Sequence, residues 1–277
     1  MAHDQWTALW RALAAQEVRT EPGAGGEGRM VERWRLLARR LDDGSAQRPD
    51  PILDFVMGRL DSGMTVLDIG AGVGRWSIPI AERVRSVTAV EPVEGMCQVL
   101  EERLRARNQT KVSVVRAAWM NADVATHDVV VAAYSMYGSP DLAAFARKME
   151  ASARRLCCMA VRVPPHDGVM GELSERIRGE WHDSPNFIVA YNALLEAGFL
   201  PNVFVEPVAI QYWTDGTLAE AQSRARRHLR LTDDRYDKLI SETLERRLEK
   251  TPDGYRWPDW MRSALIWWEP SAGSTGM

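Results

Sequence analysis

The stretch richest in chemistry is Val66-Leu67-Asp68-Ile69-Gly70-Ala71-Gly72-Val73-Gly74-Arg75-Trp76. It leaves an apolar run that reads as a strand and enters a helix, so its glycines form a turn whose backbone N–H groups can approach a ligand closely. The spacing restricts the ligand. A dinucleotide-binding fingerprint begun at Gly70 needs a glycine at position 75, where this chain has Arg75. A second carboxylate, Glu91, closes the next apolar run 17 residues beyond Gly74 and is followed by Pro92. An ionised acceptor there makes stronger hydrogen bonds to ligand hydroxyls than a neutral one.

The Asp-x-Gly-x-Gly-x-Gly pattern from Asp68 to Gly74, with Glu91 after the next strand, resembles class I S-adenosylmethionine-dependent methyltransferases. The resemblance covers about residues 64–163 well and the later strands more loosely. It implies a Rossmann-like α/β fold: a doubly wound, mostly parallel seven-stranded sheet. It also implies S-adenosyl-L-methionine as cofactor and S-adenosyl-L-homocysteine as product. Asp68 would help hold the amino end of the methionine moiety, Gly70, Ala71, Gly72 and Gly74 would line the turn, and Glu91, with Pro92, would meet the ribose hydroxyls. Met96 is either a core residue of the next helix or an apolar contact to adenine. At the third strand's exit the chain departs from the family, offering Ala118 and Trp119 where an acidic side chain often holds the adenine amino group. A backbone N–H and the aromatic face of Trp119 could substitute, Asp123 could be the displaced acid, or Trp119 could simply pack.

On the acceptor side, the fourth strand runs out through Tyr134-Ser135-Met136-Tyr137-Gly138-Ser139-Pro140, at the sheet edge where ligands bind in open α/β folds. The Asn/Asp-Pro-Pro-aromatic signature of base amino-group methylation is absent. None of Cys97, Cys157 and Cys158 follows a proline, so no Pro-Cys nucleophile for cytosine is present. Tyr134 and Tyr137 are the catalytic candidates here. His166, in Val163-Pro164-Pro165-His166-Asp167, could take a proton from an acceptor or be an ordinary loop histidine. His182 is a weaker candidate, and His127 belongs at the opposite edge.

These residues need elements to place them. Short apolar runs at 65–69, 87–90, 112–115, 129–133 and 156–161 alternate with helical patterns at 76–83, 94–105 and 142–153, the signature of βαβ units. Ser184 reads as the cap of a helix starting at Pro185 and ending before Gly198, with late strands near 203–210 and 265–268. Residues 1–60 read as helices, either a packing layer or a cap over the site. Trp6, Leu9, Trp10 and Leu13 make one stripe, Val31, Trp34, Leu37, Ala38 and Leu41 another, and Asp50-Pro51 starts a third helix. The glycine-rich run from Thr20 to Arg29 reads as a mobile link. The expected organisation is a cap or lid over 1–60 and a methyltransferase domain over 61–277, with a helical insertion at about 214–258.

The chain has 277 residues, 45% of them hydrophobic, enough for one enlarged domain. Its net charge of -3 supplies no field for nucleic acid. Residues 1–60 hold 9 basic and 9 acidic side chains, and residues 164–277 hold 13 and 18, so neither flank is a phosphate-binding surface. The local exception, Arg224, Arg226, Arg227, His228 and Arg230, is followed by Asp233, Asp234 and Asp237 and reads as a salt-bridged helix. Three cysteines without a Cys-x-x-Cys pair, no apolar leader and no span of ~20 apolar residues point to a cytoplasmic protein with neither a metal centre nor a membrane segment. The expected activity is methyl transfer to a small-molecule acceptor, with oligomeric state open. An RNA or protein methyltransferase and a non-catalytic cofactor-binding regulator are the alternatives. Eleven tryptophans, nine outside 64–163, favour a hydrophobic or aromatic acceptor enclosed by Trp6, Trp10, Trp34, Trp213, Trp257 and Trp260.

Overall fold

The computed structural model describes residues 4–18, 26–42, 49–207, 213–258 and 262–270. Three helices come first: α1 (Gln5–Val18), α2 (Gly26–Asp42) and α3 (Pro51–Met57). Strands and helices then alternate as β1 (Thr65–Ile69), α4 (Ser77–Arg83), β2 (Ser86–Val90), α5 (Glu94–Ala106), β3 (Val112–Val115), β4 (His127–Ala133), α6 (Leu142–Ser152) and β5 (Ala153–Val163). Next come α7 (Val169–Arg178), α8 (Phe187–Glu196) and β6 (Asn202–Val205). The insertion holds β7 (Thr214–Asp215), α9 (Leu218–His228), α10 (Asp237–Arg247), β8 (Glu249–Thr251) and β9 (Gly254–Arg256), and β10 (Arg262–Trp268) follows.

Seven strands form one sheet in the order β3-β2-β1-β4-β5-β10-β6. The first five are parallel, and β10 runs antiparallel between β5 and β6. Order reverses between β1 and β4, which opens a ligand crevice at their carboxyl ends. Because side chains alternate across a strand, Leu67, Ile69, Val130, Met159 and Trp268 face a core completed by α1, α6 and α8. Val66, Val131, Cys158, Leu265 and Trp267 face the other core, with Ile52 and Val56 of α3 and Ile80 of α4.

Local chemistry explains the helix starts. The Asp50 carboxylate accepts the Leu53 N–H at 3.1 Å and Pro51 opens α3. The start of α8 differs from expectation: Asn186, not Ser184, is its cap, accepting from the N–H groups of Ile188 and Val189. Ser184 instead donates to Asp183 at 2.9 Å. Gly198 does take the left-handed conformation just past the helix, with φ of 85°.

Residues 1–60 do not assemble as one layer. α1 packs on α8 and α6, α2 on α5, and α3 against β10. Gly26 and Gly28 lie in the first turn of α2, while 19–25 are outside the described residues. The insertion is not purely helical. Its apolar sides, Ala221, Ala225 and Leu229 with Ile240 and Leu244, enclose a separate small core with Leu173 of α7 and Trp257. The turn at Pro252-Asp253 is the tip of a hairpin, in a second sheet of order β7-β9-β8. Of the late strand near 203–210, residues 208–210 are outside the described residues.

Candidate functional site

Beyond β1 the chain turns through Gly70, Gly72 and Gly74 with φ of 70°, 57° and 82°, a region that L side chains rarely enter. A Cβ at Gly70 would stand 2.3 Å from that of Ser135, so only glycine fits where the exits of β1 and β4 meet. Ser135 closes that contact by donating its hydroxyl to the Ile69 carbonyl at 2.6 Å. Gly72 differs: no atom lies within 4 Å of where its Cβ would be, so its backbone borders open space.

Glu91 holds this turn. Its Oε2 accepts the Gly72 N–H and its Oε1 the Val93 N–H, both at 2.9 Å. Asp68 lies beneath, buried, and accepts the Ser77 hydroxyl at 2.5 Å. Burial pushes the Asp68 carboxyl up to about 6; the Ser77 hydrogen bond opposes the shift and the Glu91 charge adds to it. Burial also raises the Glu91 carboxyl, against the pull of its two backbone N–H donors.

The flanking residues separate into two groups. Ala71 is buried beside the turn and Pro92 is exposed at the exit of β2. Met96 takes the core alternative, packing with Ala38, Val73 and Val99. Trp119 is likewise a packing residue. Its indole donates to the Phe145 carbonyl at 3.3 Å, meets the Phe145 ring edge-on and carries Lys148 Nζ 4.6 Å from its centroid. The ring is thus occupied by the α6 layer, because burying so large an apolar surface outweighs presenting it to a ligand. Ala118 and Asp123 are exposed on either side of that turn.

At the exit of β4, Tyr134 has φ of 57°, uncommon for an aromatic residue and a sign of a constrained strand exit. Its hydroxyl donates to Ser263 Oγ at 2.7 Å, and the Ser263 N–H donates to the buried Glu206 at 2.8 Å. Burial raises the Tyr134 phenol above its usual range. Glu206 and Ser263 escaped sequence reasoning because the antiparallel return of β10 brings them to this edge. The end of the apolar run at Glu206 was the available signal.

Tyr137 stands on the other side of the edge, where its hydroxyl accepts the Arg162 N–H at 2.9 Å. It borders a cavity of about 330 Å³ that Trp181, Asp183 and His228 also line. His228 Nε2 and Asp183 Oδ2 are 2.8 Å apart. Burial works to raise the Asp183 carboxyl, but the hydrogen bond and charge of His228, with Ser184, hold it below the usual range. His166 is exposed and is not part of that cavity's lining. His182 stacks edge-on against Trp6, and His127 contacts Thr88 at the amino end of β4, remote from the carboxyl edge.

Among the described residues the expected tryptophans do not gather into an enclosure. Trp10 is fully buried with its indole on the Ser139 carbonyl, and Trp257 is buried with its indole on Asp215. Trp213 packs edge-on against Trp257, Trp34 is exposed on α2, and Trp260 lies outside the described residues. Trp181, which sequence reasoning did not single out, is the tryptophan that lines the cavity. Among the described residues no group of three or more His, Cys, Asp or Glu could hold a metal ion, and no helix is long and apolar enough to cross a membrane.

Comparison with known proteins agrees with this layout. Residues 66–155 match a family described as a methyltransferase domain. A probable ribosomal RNA small subunit methyltransferase A of Pyrobaculum aerophilum is 30% identical over 98 residues, 34% of this chain and 39% of its own length. Among solved structures, the YcgJ protein of Bacillus subtilis superposes with a TM-score of 0.54 at 16% identity, covering 80% of this chain and 98% of that one. A putative methyltransferase of Bacillus halodurans gives 0.53 at 13% identity, covering 79% and 97%. At these identities the two structures share the fold.

Proposed function

We propose that this protein, whose residues 66–155 match a methyltransferase-domain family, transfers a methyl group from S-adenosylmethionine to a small-molecule acceptor. The observation that carries the reading is the open space at Gly72, with the Glu91 carboxylate on its N–H and the Asp68 carboxylate buried below. These residues fit the cofactor. A left-handed glycine that borders empty space admits a ligand to the backbone, and Glu91 retains lone pairs for two ribose hydroxyls. Asp68 would favour the ammonium group of the methionine end. The bound cofactor supplies a methyl already activated by its sulfonium, so the chain's task is to align the acceptor and exclude water. Tyr134 and Tyr137 stand at the β4 exit, beside the crevice, where they can position that acceptor; His166 would act only if its loop folded inward.

Calorimetry tests the cofactor. Wild type should bind S-adenosylhomocysteine, and Asp68→Ala should lose most of that affinity; a folded wild type with no detectable binding overturns the reading. Labelled-methyl transfer into a metabolite extract tests the acceptor class.

An RNA acceptor is the second reading, favoured by the match to the Pyrobaculum aerophilum protein and by Arg227 and Arg230 beside an open cleft. It requires RNA binding that weakens steeply with salt and drops in Arg227→Ala.

A further inference from the structure

The cavity beside Tyr137 lies between the carboxyl ends of β4 and β5 and helix α9. Its volume of about 330 Å³ suits a single-ring or two-ring molecule. One wall is apolar: Trp181, Met170 and the rings of Pro164 and Pro185. Room for that wall comes from Gly171, where a Cβ would stand 2.8 Å from the Trp181 indole, so the indole can lie flat on α7.

The lining is also cationic. Arg162, Arg227 and Arg230 belong to it, against a single carboxylate, Asp183, which His228 and Ser184 already engage at 2.8 and 2.9 Å. Within α9, Arg224 and Arg226 serve structure. Arg224 makes a bidentate pair with Asp215, and Arg226 pairs with Asp237. Arg227 and Arg230 also border an outer cleft of about 840 Å³ with Arg178. Burial and the nearby Arg230 charge lower the Arg178 pKa, which marks a positive field at the entrance. Among the described residues His228 Nδ1 has no hydrogen-bond partner, so the ring can present it to a hydroxyl or amine in the cavity.

We propose that this cavity is the acceptor site and that it takes a small aromatic molecule bearing an anionic group, its ring against Trp181 and its charge toward Arg227 and Arg230. Asp183 fixes the His228 ring so that Nδ1 meets the acceptor's hydroxyl or amine. The proposal rests on the methyltransferase reading and names its substrate class.

Ligand-observed NMR and calorimetry on the full chain, with S-adenosylhomocysteine present and absent, test it without turnover. The probes are 4-hydroxybenzoate, phenyl phosphate, uncharged phenol and cationic benzylamine. At least one of the two anionic probes should bind tenfold or more tightly than phenol, benzylamine should not bind, and comparison of the two anions separates a carboxylate acceptor from a phosphate ester. Arg227→Gln, an exposed position that should not affect folding, should weaken the anionic probe about tenfold while leaving S-adenosylhomocysteine affinity unchanged. Equal binding of phenol and the anions, preference for benzylamine, no binding of any probe, or indifference to Arg227→Gln overturns the proposal. Loss of S-adenosylhomocysteine binding by the wild type overturns the methyltransferase reading instead.

Discussion

Glu91 shows how much one side chain does here. It joins the β1 and β2 exits through the N–H groups of Gly72 and Val93, and it is the proposed ribose acceptor. Glu91→Gln keeps the size but removes the charge and turns an amide donor toward one of those N–H groups. Hydrogen bonds to charged groups contribute about 1.5–3 kcal/mol, so calorimetry should show S-adenosylhomocysteine affinity reduced roughly ten- to hundredfold. Asp68 predicts a pH dependence. Its carboxyl titrates near about 6, and a ligand ammonium selects the ionised form. Affinity should therefore be full above that value and fall as pH drops through it, toward about tenfold per unit. In Asp68→Asn the affinity should be low and this inflection absent; an unchanged profile would remove Asp68 from the site.

Among the elements, α3 and its cap tie the glycine turn to the rest of the chain. Asp50 caps α3 through Leu53 and also accepts from Arg75 at 2.9 Å and the Trp76 indole at 3.3 Å, just beyond the turn. Asp50→Ala should cost about 0.5–2 kcal/mol, read as a lower denaturant midpoint, whereas Asp50→Asn should recover most of it because an amide oxygen still caps. Equal loss in both variants would place the effect in the Arg75 ion pair. The cap and the βαβ rhythm were legible because each is a local signal of one or two turns. The start of α8 was misplaced by two residues because Ser184, Pro185 and Asn186 all suit helix starts, and the choice is made by Asp183, which takes the Ser184 hydroxyl.

At the scale of the whole molecule, α1 buttresses the loop that follows β4. Trp10 is completely buried and its indole donates to the Ser139 carbonyl at 2.8 Å, two residues beyond Tyr137. Trp10→Ala should destabilise the fold by about 3–5 kcal/mol. Trp10→Phe keeps most of the packing but leaves that carbonyl unpaired, at about 1–3 kcal/mol. In the Phe variant the acceptor KM should rise while cofactor affinity holds; parallel loss of both would show that α1 acts on the sheet as a whole.

From sequence alone came the alternating sheet, the glycine turn with Asp68 and Glu91, and the family they resemble, because each depends on residues close together along the chain. Which tryptophan lines a cavity was decided only in three dimensions. Trp10, Trp119 and Trp257 have the same apolar surface as Trp181, but each finds a carbonyl or carboxylate for its indole N–H inside a core. The same holds for Glu206 with Ser263 and for Asp183 with His228, separated by 57 and 45 residues. Antiparallel return of β10 and docking of the insertion on α7 bring those pairs together, and neither leaves a periodic trace in the sequence.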